Sequence, residues 1–137
     1  MRKDKYHDIV KEALIKDGWT ITHEHLKVPV GKRNIFVDIG AEKIIAAERG
    51  AEKIAVEVKG FEGASQVTEF YRALGQYNYY FVALQKQDPD RTLVLSAPTD
   101  VYDDFISDPF NEEVVNHYHV KLLVFSTELK TVVQWIK

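Results

Sequence analysis

The chain reads as an α/β protein, a mixed central β-sheet flanked by helices in one domain spanning residues 1–137. Three observations predict this. A short amphipathic helical pattern opens the chain and a much longer one occupies its middle. Between them, Lys53 to Lys59 alternates as a strand does. A further apolar strand follows the long helix, which suggests a parallel crossover in an otherwise mixed sheet.

Asp4 to Asp17 places Tyr6, Ile9, Val10, Ala13 and Leu14 at helical spacing, with Gly18 as a stop. Trp19 to Val30 reads as a strand, with Ile21, His23 and His25 alternating against Thr20, Thr22 and Glu24. Gly31-Lys32 is a turn, and Ile35 to Ile39 a second strand rich in β-formers. Ala41 to Arg49 carries both helical and strand signals, and the clean alternation after it favours a hairpin arm. In that next strand Ile54, Val56 and Val58 share one face, and Lys53, Ala55, Glu57 and Lys59 the other. Ser65 caps a helix running to about Leu84, with Val67, Phe70, Leu74, Tyr77, Phe81 and Leu84 as its apolar stripe. Asp88-Pro89-Asp90 is a turn, and Leu93-Val94-Leu95 a strand buried on both faces. Helices from about Thr99 and Pro109 precede closing strands at Lys121–Ser126 and Thr131–Ile136.

Composition sets limits on function. Hydrophobic residues at 45% and charged residues at 28% are ordinary for a globular chain, and 137 residues suffice for a buried core. The absence of cysteine excludes disulfides, thiolate zinc sites and a cysteine nucleophile. No apolar run approaches about 18 residues and no signal-peptide core follows Met1-Arg2-Lys3-Asp4, so a cytoplasmic protein outside the membrane is expected. The net charge of −3 lends no support to bulk electrostatic binding of nucleic acid, so any such function must rest on motifs.

One constellation carries chemistry. Asp38 lies among Phe36, Val37 and Ile39, and Glu57-Val58-Lys59 follows nineteen positions later. Glu57 and Lys59, two apart on a strand, project from the same face. With Asp38 on the neighbouring antiparallel strand, two carboxylates and an ammonium converge. Two hard oxygen donors suit Mg²⁺ or Mn²⁺, which neutralises phosphate charge and acidifies water, and a lysine beside them can orient that water. A Val-Glu-Val-Lys segment is also an ordinary solvent-facing strand edge. Against that stands the apolar setting of Asp38, where an unpaired carboxylate is costly. Gln76 and Tyr80 add to it, one turn apart on the long helix and off its apolar stripe.

Asp38, Glu57-x-Lys59 and Gln76-x-x-x-Tyr80 together resemble the RecB-like branch of the PD-(D/E)xK nucleases, whose restriction-endonuclease-like fold the resemblance implies here. In that branch the glutamine and tyrosine lie beside the catalytic lysine and the bound DNA. The resemblance therefore implies Asp38, Glu57, Lys59 and Gln76 as catalytic residues and Tyr80 as a DNA contact. Val37 stands where the superfamily name has proline, which leaves the metal chemistry untouched. Many such nucleases add an acid from the first helix to the metal site, where Asp8 and Glu12 sit one turn apart. Glu12 is the candidate third ligand. Two acids on such an exposed face are more often simply solvated.

More of the chain resembles the XisH family of excision-controlling factors of the cyanobacterial fdxN element. The segments that carry this are Lys16 to His23, Val37 to Lys43, Ile54 to Lys59, Ala73 to Tyr77 and Val133 to Ile136. This implies programmed DNA excision alongside a companion excision-controlling factor and a site-specific recombinase, and it allows a homodimer, as many nucleases of this type use. The alternative it leaves open is a catalytically silent member that binds DNA or its companion and regulates the recombinase.

Other signals are weaker. His23 with His25, and His117 with His119, each put two imidazoles on one strand face but lack a third ligand in register. Asp100, Asp103, Asp104 and Asp108 are spaced too irregularly for a calcium loop. Trp135 is read as sealing the core or anchoring a partner.

Overall fold

The computed structural model describes residues 6–46, 50–63 and 65–137. Helix α1 spans His7–Lys16, and strands β1 (Thr20–His23), β2 (Leu26–Val30), β3 (Arg33–Val37), β4 (Ile39–Ala46) and β5 (Gly50–Val58) follow. Helix α2 (Gln66–Gln87) leads to β6 (Arg91–Pro98). Helix α3 (Thr99–Val101) runs into a π-helical turn at Tyr102–Ile106, followed by α4 (Pro109–His117), β7 (Leu122–Ser126) and β8 (Thr131–Ile136). No described helix is long and apolar enough to cross a membrane.

Six strands form one mixed sheet in the order β1-β4-β5-β6-β7-β8, with β5, β6 and β7 parallel and the outer pairs antiparallel. The parallel crossovers are α2 and the α3–α4 segment, the first as the strand following the long helix suggests. Strands β2 and β3 form a separate antiparallel ribbon. Pro29 is tolerated in it because a two-stranded ribbon has only edge strands, and a missing N–H there costs no ladder bond.

Both faces of the main sheet are buried. Val10 and Leu14 of α1 pack with Trp19, Ile54, Val56, Val58, Val94 and Phe125 on one face. Phe70, Ala73 and Tyr77 of α2 pack with Ala55, Leu93, Leu95 and the ribbon's Leu26, Val28 and Val37 on the other. The expected division of β5 into an Ile54-Val56-Val58 face and an Ala55-Glu57 face is thus the observed one. Asp17 ties the first layer down, accepting from the indole N–H of Trp19 at 3.2 Å and of Trp135 at 3.3 Å. Trp135 is accordingly a core-sealing residue, its ring 5.8 Å from that of Trp19.

Several elements differ from expectation for local reasons. The strand expected over Trp19–Val30 is two strands, with a bulge between Ile21 and His23 and a bend at Glu24-His25 where the chain leaves the sheet for the ribbon. The strand expected over Ile35–Ile39 breaks at Asp38, which is itself a bend. Ala41 onward is the hairpin arm, pairing Ile44 with Ala51, while residues 47–49 lie outside the described residues. Helix α2 starts as expected, with the Ser65 hydroxyl accepting from the Thr68 N–H, but its buried side is rotated. Val67 and Phe81 are 44% and 41% exposed, and Ala73 and Ala83 are inside instead. His117 ends a helix and His119 adopts a left-handed conformation, so these two share no strand face.

Tyr77 joins helix to sheet. Its hydroxyl donates to the Leu93 carbonyl at 3.0 Å and accepts from the Lys121 N–H at 3.1 Å, bridging the chain entering β7 to β6. Tyr77→Phe strands both backbone groups in the interior, at a cost of about 1–3 kcal/mol. A lower urea midpoint at an unchanged slope is the expected result, and an unshifted midpoint would show that water replaces the hydroxyl.

Candidate functional site

The site is built where β3 bends into β4. Ile39 pairs with Val56, and continuing that ladder would set Asp38 beside Glu57 and backbone opposite Val58. The bend removes that backbone, because residues before Asp38 turn away to pair with β2. The Asp38 carboxylate takes its place: Oδ2 accepts from the Val58 N–H at 2.8 Å. A short acidic side chain at a strand break can replace a ladder acceptor in this way.

Glu57 lies one residue earlier on β5, on the face that α2 covers, and is only 6% exposed. Lys59, two residues on, brings its Nζ within 3.3 Å of Glu57 Oε2, while Oε1 is buried with no hydrogen-bond partner. Burial, and next the charge of Asp38, push the Glu57 carboxyl from its ordinary 4.5 up to about 8, with Lys59 pulling the other way. Gly60, directly after Lys59, has no room for a side chain, since a Cβ there would lie 2.2 Å from the Tyr6 ring.

From α2, Gln76 Nε2 donates to Tyr80 Oη at 3.0 Å, an i, i+4 pair on the helix side facing the acids. The Tyr80 hydroxyl is raised above its usual value by burial and then by the charge of Glu57, with Asp38 adding to it. It therefore stays protonated and can donate. Asp38, Glu57, Lys59, Gln76 and Tyr80 are thus one neighbourhood.

Glu12 is elsewhere occupied, in an ion pair with Lys16 at 3.2 Å on the surface of α1. Among the described residues, no three His, Asp or Glu side chains gather closely enough to hold a metal ion. The oxygen donors at this site are Asp38 and Glu57. Sequence reasoning also passed over His7, which is 1% exposed. Its Nε2 lies 3.2 Å from Glu24 Oε1 and its ring 5.6 Å from that of His25. Lys11 completes the group at 2.6 Å from Glu24 Oε2. An imidazole at a position that helical spacing alone makes neither core nor surface was the available signal.

The raised Glu57 carboxyl makes stability depend on pH in a definite direction. Between pH 4.5 and about 8 the folded chain holds a proton that the unfolded chain has released, so the contribution is complete below 4.5 and lost as pH climbs through 8. Metal-free protein should melt at progressively lower temperature across that window, and Glu57→Gln, which cannot ionise, should flatten the decline. Parallel curves for the two proteins would mean that Glu57 titrates as an exposed carboxyl.

The chain matches the XisH protein family over residues 1–133. Two solved structures resemble it along nearly its whole length. An XisH family protein from Nostoc punctiforme is 41% identical with a TM-score of 0.88, covering 98% of this chain and 100% of its own. An fdxN element excision controlling factor protein from Anabaena variabilis is 42% identical with a TM-score of 0.89 and the same coverage. No curated protein matches the chain significantly. A match over all but the last four residues, joined to two whole-chain structural matches above 40% identity, places this chain in the XisH family.

Proposed function

We propose that this protein controls excision in programmed DNA rearrangement through metal-dependent phosphodiester cleavage at Asp38, Glu57 and Lys59. The observation that carries the reading is the buried Glu57 carboxylate, one oxygen unpartnered, held beside Asp38 and an ammonium. Such an arrangement costs stability, and costly polar clusters belong at sites of function. The excision role is drawn from the Anabaena variabilis relative, described as an fdxN element excision controlling factor. The fold that goes with it is PD-(D/E)xK restriction-endonuclease-like, supported by the mixed sheet, the α2 crossover and the D…ExK residues at the adjoining ends of β4 and β5.

The donor set fits a hard divalent cation. Asp38 and Glu57 would hold it, and the orphaned Glu57 oxygen is an atom that a cation would satisfy. When bound, Mg²⁺ or Mn²⁺ neutralises charge on the phosphate and acidifies water. The chain's own groups do the rest. Lys59, partly exposed, offers its ammonium to the attacking water or the pentacovalent phosphate. Gln76 positions the Tyr80 hydroxyl by donating to it, which leaves the tyrosine proton to reach a phosphate oxygen. DNA is the substrate in this reading, with a companion excision-controlling factor and a site-specific recombinase as partners.

A second reading, a catalytically silent member that binds DNA or its companion and regulates the recombinase, is favoured by two facts. The described residues bring only two acids together at the site, and the net charge is −3.

Two measurements separate these. Mg²⁺ or Mn²⁺ at 100 times its dissociation constant should stabilise the protein by about 2.7 kcal/mol, and the shift should vanish in Asp38→Asn and Glu57→Gln. Asp38→Ala is the poorer variant, because it also strands the Val58 N–H. A shift that survives both substitutions would remove the cation from this site. Incubated with supercoiled, linear and branched DNA in either metal, the wild type should nick at least one substrate, with Lys59→Ala slower by about 100-fold or more. Metal binding with no cleavage of any substrate would establish the silent reading.

A further inference from the structure

The β2–β3 ribbon is chemically unlike the rest of the chain. Residues 26–37 contain Lys27, Lys32 and Arg33 and no acid, in a protein whose net charge is −3. One face of the ribbon is spent on the core through Leu26, Val28 and Val37. The other is open. There Lys27 pairs across the ribbon with Phe36, and Pro29 with Asn34. All four are exposed, Phe36 at 39%. Lys32 and Arg33 form the tip, with the Arg33 guanidinium stacked 5.6 Å from the centre of the Tyr79 ring and donating to its hydroxyl. Among the described residues no acidic side chain pairs with any of these three cations.

The ribbon also ends at the carboxylates. Phe36 and Val37 run directly into Asp38, so β3 leads from the ribbon's cationic tip to the candidate site. From Arg33 to Asp38 is five residues, about 17 Å along a strand. That length matches about five base-pair rises of B-form DNA at 3.4 Å each. An antiparallel two-stranded ribbon is also of a width that the duplex major groove admits.

We infer that the outer face and tip of the β2–β3 ribbon form the duplex-DNA contact surface of this protein, seating the phosphate backbone on Lys27, Lys32 and Arg33 so that a phosphodiester about five base pairs away reaches Asp38 and Glu57. The inference rests on the reading of DNA as the partner and adds how the duplex is held. It also resolves the charge difficulty. An acidic chain can bind a polyanion where a local group of cations is kept clear of acids. Contacts of this kind go to phosphates, so they position the duplex without reading its sequence. Phe36, exposed between Lys27 and the site, meets sugar or base edges where the backbone passes the ribbon's base.

The test uses the full-length protein, without divalent metal, and a fluorescently labelled 30-base-pair duplex over a range of salt. Wild type should bind with a salt slope to which the ribbon contributes about 2.7, at about 0.9 per phosphate contact. Lys27→Ala/Lys32→Ala/Arg33→Ala should weaken binding about 10- to 100-fold at low salt and lower the slope by nearly that amount. Lys27→Arg/Lys32→Arg should bind as wild type, because charge and not shape is what these positions supply. Triple-variant binding within twofold of wild type would overturn the assignment. So would failure of wild type to bind duplex at all, which would turn the ribbon's cations toward an acidic protein partner. The metal-induced melting shift, measured on the same samples, separates this from the cation reading. If the shift is intact while ribbon substitutions have no effect, the ribbon assignment falls alone. If ribbon-dependent binding persists with no metal shift, the cation site falls and the DNA surface stands.

Discussion

The hydrogen bond from the Val58 N–H to Asp38 is the contact on which the rest of the arrangement turns. The chain leaves the six-stranded sheet at Asp38 to build a second, two-stranded one. Leaving strips β5 of an acceptor at a position buried on both faces, and an unpaired N–H there costs about 1–3 kcal/mol. A backbone carbonyl cannot fill the gap, because the backbone has gone. An aspartate can, and its charge then acts on Glu57. The structural need for a ladder acceptor and the chemical opportunity of an acid pair are met by one side chain.

The pair is held at a cost that the surrounding packing offsets. Glu57 is buried with only Lys59 to compensate it, and its carboxyl responds by holding a proton to about pH 8. The strand that carries it cannot relax. Ile54, Val56 and Val58 are fixed against α1, and Ala55 against α2. Arg91, also buried, reinforces the far end of the strand by donating to the Ile54 carbonyl and pairing with Asp88. A central strand, antiparallel to β4 and parallel to β6 and covered on both faces, keeps buried an acid that an edge strand would release into water. This separates the site from the solvent-facing Glu–Lys pair that the same four residues could equally have formed.

Charge distribution follows the same economy. The acids of this chain are spread over helices, strands and turns, and residues 26–37 are free of them. Family membership is shown by the XisH family match and by whole-chain similarity to two solved structures, yet similarity of that kind describes the scaffold and leaves the chemistry to the residues the scaffold presents.

Patterns set by neighbours along the chain were legible in the sequence. The alternation through Ile54, Val56 and Val58, the Ser65 cap, the Asp88-Pro89 break and the closing strand at Thr131–Ile136 all depend on local propensity, and all are found in the structure. So does the association of Glu57 with Lys59, which needs only a strand period of two. What the sequence could not determine depends on partners distant in the chain. Asp38 sits among β-formers and reads as a strand residue, and only the competing pairings of β3 with β2 and β4 with β5 make it a bend. The buried side of α2 is decided by the sheet and ribbon it meets, so Val67 and Phe81 are exposed despite their place on the apolar stripe. Glu12 had the spacing to approach a site from α1, and in the structure it pairs with Lys16 one turn away. Local periodicity specifies which face a residue belongs to within its own element. Which face is buried, and which acid finds a cation or a second acid, is settled by the packing of elements against one another.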